Sequence, residues 1–91
     1  MNNTVELTLS GRVQGVGMRF FISRTAKKFG INGFVKNLYN GTVLAVIQGD
    51  QTLLENFIDF MKRNSPGIID NIAYNKMDTE VTYTKFSVKI F

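Results

Sequence analysis

The sequence predicts an α+β sandwich in which two helices cover one face of a small, mostly antiparallel sheet. Residues 4–10 alternate between apolar and polar side chains, as a half-buried strand does. Residues 19–29 and 52–63 each carry apolar side chains at helical spacing. Asn40 and Gly41 separate two strand-like segments and indicate a hairpin turn. The resulting order, βαββαβ, is typical of the ferredoxin-like fold.

The first half of the chain predicts a strand, a helix and a hairpin. The strand at residues 4–10 turns three apolar side chains to one face: Val5, Leu7 and Leu9. The helix carries its apolar stripe on Ile22, Ala26 and Phe29. Gly30 is expected to end this helix, because glycine readily adopts the left-handed conformation found there. Residues 31–38 and 42–48 form the hairpin, and the second strand is apolar on both faces, which predicts a central position.

The second half predicts a helix and two further strands. The helix stripe consists of Leu53, Leu54, Phe57, Ile58 and Met61, preceded by Asp50 or Thr52 as a possible N-cap. Ser65, Pro66 and Gly67 end the helix. A fourth strand is expected near residues 72–78, and a last one near 84–90, so the final strand of the βαββαβ order could be split in two. Its inward residues are predicted to be Phe86, Val88 and Ile90. Phe34, Phe57, Phe60 and Phe86 are expected in or near the core.

Length and composition restrict the possible functions. Ninety-one residues predict a single domain spanning 1–91. The chain has no cysteine and no histidine, so thiolate nucleophiles, the commonest general base and the commonest transition-metal ligand are excluded. A net charge of +4 weakly favours an anionic partner. The N-terminus resembles no signal peptide and no apolar run could span a membrane, so we expect a cytoplasmic protein that does not bind membranes. We also expect a monomer.

The segment from Gly11 to Arg19, GRVQGVGMR, has the composition of an anion-binding loop. Three glycines in seven residues allow positive φ angles and a close approach of the backbone to a ligand. Successive N–H groups can then converge on one anion, and the N-terminus of the following helix adds unpaired donors. The spacing matches neither a Walker A loop nor a dinucleotide-binding fingerprint. From the residues alone, a flexible connection between strand and helix is an equally good interpretation.

Arg19 and Asn37 are the candidate polar residues of this site. A positive charge is mildly unfavourable at a helix N-terminus, so Arg19 either lies in solvent or neutralises a bound anion. Asn37 precedes the Asn40–Gly41 turn and could be an ordinary turn residue. Its amide could equally hold a water molecule without adding a negative charge, because it offers both a donor and an acceptor.

Two stretches of the chain resemble the signatures of the acylphosphatases, small hydrolases of carboxyl-phosphate bonds. The first is GRVQGVGMR, and the second begins GFVKNLYNGTV at Gly33 and continues to Gly49. Their order and separation also fit, and the resemblance covers essentially the whole chain. Met18 departs from the pattern, because many members carry an aromatic residue there.

The resemblance implies an enzyme with a ferredoxin-like fold that hydrolyses a small acyl phosphate without metal or other cofactor. It matches Arg19 and Asn37 to the family's catalytic arginine and asparagine. Arg19 would hold the phosphate, and Asn37 would position the attacking water. Backbone N–H groups of the cradle would bind the phosphoryl group, and this cradle comprises Gln14, Gly15, Val16, Gly17, Met18 and Arg19.

Two other functions compete with this interpretation. RNA-recognition modules share the βαββαβ order, but they stack bases on aromatic residues of the first and third strands. Residues 4–10 and 42–48 contain no aromatic residue, which argues against nucleic-acid binding. The second competitor is a noncatalytic module that binds an anion or regulates a partner, since relatives of the acylphosphatases also occur inside larger carbamoyl-transfer proteins. The sequence does not separate a weak enzyme from such a binder, because both need the cradle.

Overall fold

The computed structural model describes residues 2–90 and arranges them as five strands and two helices. The elements, in chain order, are β1 (Asn3–Arg12), α1 (Met18–Phe29), β2 (Asn32–Asn37), β3 (Val43–Gly49), α2 (Gln51–Asn64), β4 (Ile68–Met77) and β5 (Phe86–Lys89). The order is βαββαββ, which is the predicted βαββαβ arrangement with its final strand divided into β4 and β5. Gly30 ends α1 with a φ of 75°, as predicted. Asp50 occupies the N-cap position of α2 without a side-chain hydrogen bond to the helix.

The strands form one sheet in the order β4-β1-β3-β2-β5. The pairs β1–β3, β2–β3 and β1–β4 are antiparallel, whereas β2–β5 is parallel. The sheet is therefore mostly antiparallel, and the fold is the ferredoxin-like α+β sandwich that the sequence predicts. The central position of β3 explains why both of its faces are apolar.

The core lies between the two helices and one face of the sheet. The sheet contributes Leu7, Leu9, Val35, Ala45 and Ile47, and the helices contribute Ile22, Ala26, Leu54, Phe57 and Met61, all of them almost fully buried. Both helices thus bury the stripes that their spacing predicts. The core positions predicted for Phe57 and Phe86 are also confirmed.

The predictions for the start of β4 and for the inward positions of Val88 and Ile90 are wrong. β4 begins at Ile68, because it pairs with β1 as far as Arg12, beyond a bulge at Asp70 that shifts the register between Ser10 and Gly11. Val88 and Ile90 are 40% and 74% exposed, since β5 lies at the sheet edge, where the helices do not cover its end.

Two phenylalanines also depart from the predicted core. Phe34 lies on the sheet face opposite the helices, half-buried against Tyr83 and beneath the Lys89 amine. Phe60 is 38% exposed and lies at the edge of the helix layer, where its ring contacts Phe21 and Phe29.

Strand direction brings three chain segments to one end of the sheet. β1 and β2 are both antiparallel to β3, and β5 is parallel to β2, so these three strands run the same way. Their carboxyl ends therefore lie at the same edge. The glycine-rich loop follows β1, Asn37 is the last residue of β2, and Ile90 follows β5. The fold thus assembles a candidate site from distant parts of the sequence.

The opposite end of the sheet is crossed by residues 78–85, which we call the strap. The strap must cross because β4 and β5 occupy opposite edges of the sheet. Gln48 holds it with two hydrogen bonds: its amide donates to the carbonyl of Val81, and its Oε1 accepts from the N–H of Tyr83, both at 2.8 Å. The strap therefore lies away from the end at which the glycine-rich loop and Asn37 meet.

Neither α1 nor α2, with 12 and 14 residues, is long and apolar enough to pass through a lipid bilayer. A span of that kind needs about 20 predominantly apolar residues.

Candidate active site

The glycine-rich loop leaves several backbone donors unused at the start of α1. Gly15 and Gly17 have φ angles of 73° and 85°, in the left-handed region that glycine adopts without steric cost. Gly17 is the N-cap of α1, and its carbonyl accepts the N–H of Phe21 at 3.0 Å. The first-turn N–H groups of Met18 and Arg19 have no acceptor within the helix. They form, with the loop, a ready site for an anion.

Arg19 and Asn37 line the same cleft, as the resemblance implies. The cleft has a volume of about 390 Å³ and lies at the carboxyl ends of β1, β2 and β5. Its lining residues are Val13, Gly15, Gly17, Met18, Arg19, Phe20, Asn37, Val88 and Ile90. Four of the six residues predicted for the cradle therefore border this cleft, together with the predicted asparagine.

The cleft is electrostatically positive. Arg19 is half-buried, and among residues 2–90 no carboxylate pairs with it. The Arg24 guanidinium lies 5.3 Å from the centre of the Phe20 ring, so a second cation stands beside the cleft wall. None of the lining residues is acidic. An anion entering this cleft would meet a positive charge and unpaired N–H donors, and no side-chain carboxylate from residues 2–90 lines the cleft to repel it.

Gln14 and Val16 differ from the other predicted cradle residues. The Gln14 amide nitrogen donates to the carbonyls of Leu38 and Thr42, both at 2.8 Å. Its side chain is thereby committed to the hairpin, so only its backbone is available to the cradle. Val16 packs its side chain against the core, and Gly67 lies close beside it. Neither residue is among those that line the cleft.

The Gln14 amide connects the cradle to the loop that follows Asn37. This connection was not predicted from the sequence. The hairpin turn itself is held by a hydrogen bond from the N–H of Leu38 to the carbonyl of Thr42, at 2.9 Å. Oδ1 of Asn40 accepts from the N–H and the hydroxyl of Thr42. Asn37 therefore precedes a closely bonded turn that is fastened to the cradle.

The apolar wall of the cleft was not predicted from the sequence. Phe20 is 66% exposed and lies off the helix stripe formed by Ile22, Ala26 and Phe29. An aromatic residue outside the buried stripe and next to Arg19 was the signal that could have identified it. Val88 and Ile90 were expected in the core, and no local pattern distinguishes a cleft-facing strand end from a buried one.

A second cleft adjoins the first and shares Asn37 and Ile90 with it. It is lined in addition by Gln14, Lys36, Leu38 and Tyr39. Another depression lies elsewhere, between α2 and β4, and is bordered by Lys62 and Tyr74. A hydrogen bond to Tyr74 raises the pKa of the Lys62 amine above its ordinary value.

Residues 2–90 contain no cluster of three or more acidic, cysteine or histidine side chains that could hold a metal ion. The cleft offers an arginine, an amide and backbone N–H groups instead. These groups favour an anion and do not provide the ligands that a protein-bound divalent cation prefers.

Comparison with known proteins identifies relatives over nearly the whole chain. The acylphosphatase family model matches residues 5–88. An acylphosphatase from Caldanaerobacter subterraneus is 34% identical, and the alignment covers 97% of this chain and 99% of the relative. One from Archaeoglobus fulgidus is 36% identical over 92% of this chain and 94% of the relative.

Solved structures also match the chain over nearly its whole length. The crystal structure of acylphosphatase from Bacillus subtilis matches with a TM-score of 0.90 and 30% identity, covering 98% of this chain and 99% of that one. A structure of full-length HypF in a phosphate- and nucleotide-bound form matches with a TM-score of 0.87 and 26% identity. That match covers 98% of this chain but only 12% of HypF. The matches in sequence and fold extend over nearly all of the described residues, and the chain belongs to the acylphosphatase family of enzymes.

Proposed function

We propose that this enzyme hydrolyses small acyl phosphates to a carboxylate and inorganic phosphate. The observation that carries the proposal is the meeting of Arg19, Asn37 and the glycine-rich loop in one positive cleft. The phosphoryl group binds to the loop N–H groups and to the Arg19 guanidinium. Phosphoryl transfer requires chiefly positioning and stabilisation of charge, which are the two things that these groups can supply.

In the proposed reaction Asn37 holds a water molecule in line with phosphorus. The water oxygen forms a bond to phosphorus while the bond from phosphorus to the acyl oxygen breaks. The bonding electron pair leaves with the carboxylate, and the proton released by the water passes to phosphate or solvent. A carboxylate is a good leaving group, so the reaction needs little help from a general acid. This suits a chain that contains no histidine.

Arg19 interacts with charge that the substrate already carries and that persists in the transition state. Its planar guanidinium can donate two parallel hydrogen bonds to phosphoryl oxygens. Asn37 acts on the water, so its contribution appears only when the attack begins. The Gln14 bridge supports this division, because it fixes the turn after Asn37 relative to the cradle that binds the phosphate.

Phosphate release from acetyl phosphate and benzoyl phosphate tests the proposal directly. We expect turnover that survives EDTA and competitive inhibition by inorganic phosphate, because the product occupies the same cradle. Loss of activity with chelator and its recovery with Mg²⁺ would contradict the metal-independent mechanism. Noncompetitive inhibition would place the anion site elsewhere.

A noncatalytic anion-binding module is the second candidate, favoured by the match to a 12% segment of HypF, which shows that this fold also occurs within larger proteins. The same assay separates the two functions: a binder would retain phosphate binding without releasing phosphate from any acyl phosphate. The single-domain organisation, the monomeric state, the cytoplasmic location and the lack of nucleic-acid binding stay predictions from the sequence.

A further inference from the structure

Exposed apolar side chains are concentrated around the candidate active site. Among residues 2–90, eight large apolar side chains are exposed. Four of the eight border the two adjoining clefts: Phe20, Tyr39, Val88 and Ile90. Isolated exposed apolar residues are common, but a group around one concave site indicates a binding surface.

The main cleft has two different walls. Gly15, Gly17 and Arg19 border its anion-binding side, whereas Phe20, Val88 and Ile90 border the rest of it. The Phe20 ring is covered on one face by Arg24, which favours a defined ring position over free rotation in solvent. The apolar wall is therefore assembled from two elements, α1 and the end of β5.

The position of the apolar wall determines what it can contact. Phe20 and Arg19 line the same cleft, so a ligand whose phosphoryl group meets Arg19 has its remaining atoms near this wall. In an acyl phosphate those atoms are the carbonyl and the acyl chain. Burying methylene groups against exposed apolar side chains is favourable, and the gain grows with the area removed from water.

We propose that Phe20, Val88 and Ile90 form an acyl subsite that favours uncharged, apolar acyl groups, such as medium-length aliphatic chains, over charged ones. This inference rests on the proposed function and adds the substrate class to it. Lys36 supplies the main alternative, because it lines the adjoining cleft and could attract an acyl group with a second negative charge. Arg19 is the only positive side chain that lines the main cleft, and the Arg24 guanidinium stands against the Phe20 ring without lining the cleft, which favours the apolar class.

A series of acetyl, butanoyl and hexanoyl phosphates tests the subsite. Their carboxylate leaving groups have nearly equal basicity, so differences in kcat/KM report the length of the chain and not its reactivity. We expect kcat/KM to rise about tenfold from acetyl to hexanoyl phosphate, a modest gain for a groove that stays partly open to water. Phe20→Ala and Ile90→Ala should each lower the hexanoyl-to-acetyl ratio about threefold or more.

Matched controls use exposed apolar residues away from the cleft. Tyr74→Ala removes an exposed aromatic ring that also lies beneath a cation, the Lys62 amine at 5.6 Å. Val81→Ala removes an exposed valine from the strap, at the opposite end of the sheet. Both should leave the hexanoyl-to-acetyl ratio unchanged. Binding of hexanoylphosphonate and acetylphosphonate, measured by calorimetry, compares the same chain lengths without turnover.

The inference is overturned if chain length has no effect, or if Phe20→Ala lowers kcat/KM equally for acetyl and hexanoyl phosphate. It is also overturned if succinyl phosphate is the better substrate and Lys36→Met removes that advantage. A wild-type enzyme that hydrolyses no acyl phosphate contradicts the proposed function instead. The phosphonate comparison then decides separately whether the apolar wall binds acyl chains.

Discussion

At the scale of single residues, Arg19 and Asn37 share a cleft but should contribute at different stages of the reaction. Arg19 carries a permanent charge and meets the anion in the bound substrate, the transition state and the product. Asn37 is neutral and, as proposed, contacts the water that attacks. Substitution should therefore separate phosphate binding from turnover, although both residues border the same space.

Arg19→Ala should weaken inhibition by phosphate and also reduce kcat/KM. Asn37→Ala should reduce kcat by about 100-fold or more, as loss of one preorganised hydrogen-bonding group does, while phosphate affinity stays near the wild-type value. Asn37→Asp should also be impaired, because it places a negative charge near the phosphoryl group. Steady-state kinetics with phosphate inhibition measure both effects, and circular dichroism checks folding. A folded Asn37→Ala variant with unchanged kcat would refute the assignment.

Gln14 should affect catalysis indirectly, through the position of Asn37. Gln14→Met keeps the size of the side chain but removes both hydrogen bonds to the hairpin, which should cost about 1–3 kcal/mol of unfolding free energy. Gln14→Glu should be worse, because a carboxylate would face two carbonyl oxygens. We expect kcat to fall more than phosphate affinity, since the cradle remains while Asn37 loses its support. Denaturant unfolding and phosphate inhibition test this, and equal stability of both variants with the wild type would contradict it.

At the scale of the elements, a glycine in the left-handed conformation flanks each end of α1, and the one before the helix should also affect phosphate binding. Gly15 precedes the helix and Gly30 follows it, with φ angles of 73° and 75°. An added Cβ at either position would meet no atom within 4 Å. Substitution should therefore cost only the strain of a left-handed L-residue, about 1–2 kcal/mol at each site. Only Gly15 borders the cleft.

Gly15→Ala and Gly30→Ala thus form a matched pair. Both should lower the free energy of unfolding by about the same 1–2 kcal/mol, because their conformations and surroundings are equivalent. Gly15→Ala should in addition weaken phosphate binding and lower kcat/KM, since relief of the strain would turn N–H groups away from the cradle. Gly30→Ala should keep wild-type kcat/KM below its melting temperature. Equal losses of activity in the two variants would show that the loop conformation has no special part in catalysis.

At the scale of the whole molecule, the sequence predicted what depends on local pattern and missed what depends on long-range packing. The apolar pattern predicts the two helix stripes and the central position of β3. The family resemblance predicts that Arg19 and Asn37 share a site. The start of β4 at Ile68 does not follow from either, because it depends on pairing with Gly11 and Arg12, more than 50 residues away in sequence. The exposure of Val88 likewise depends on how far the helices extend over the sheet edge.

The Gln14 bridge and the Gln48 anchor were missed for the same reason. A glutamine in a loop or a strand carries no local sign of which carbonyl it will meet. Gln48 lies in β3, and its partners on the strap are more than 30 residues away. Such long-range bonds can be identified only once the strands are in register.

At the same scale, the bonds that hold the strap should contribute to the stability of the molecule and not to catalysis. The buried Gln48 amide donates to the Thr4 hydroxyl and the Val81 carbonyl, and it accepts from the N–H of Tyr83. Gln48→Leu breaks all three bonds and leaves polar groups under the strap without partners, so we expect a loss of about 2–4 kcal/mol in unfolding free energy. Hydrogen exchange should show faster exchange at the Tyr83 amide.

Gln51→Leu is the matched control, because it makes the same substitution at an exposed residue of α2, whose side-chain hydrogen bonds with Asn3 and Glu55 are open to water. The loss there should stay within about 1 kcal/mol. Both variants should keep kcat/KM for acetyl phosphate within about threefold of the wild type at temperatures where they are folded. The physical reason is distance: the strap crosses the end of the sheet opposite the cleft, and none of its residues lines the cleft. A Gln48→Leu enzyme that is as stable as the wild type, or that is folded but loses phosphate binding, would show that the two ends of the sheet are not independent.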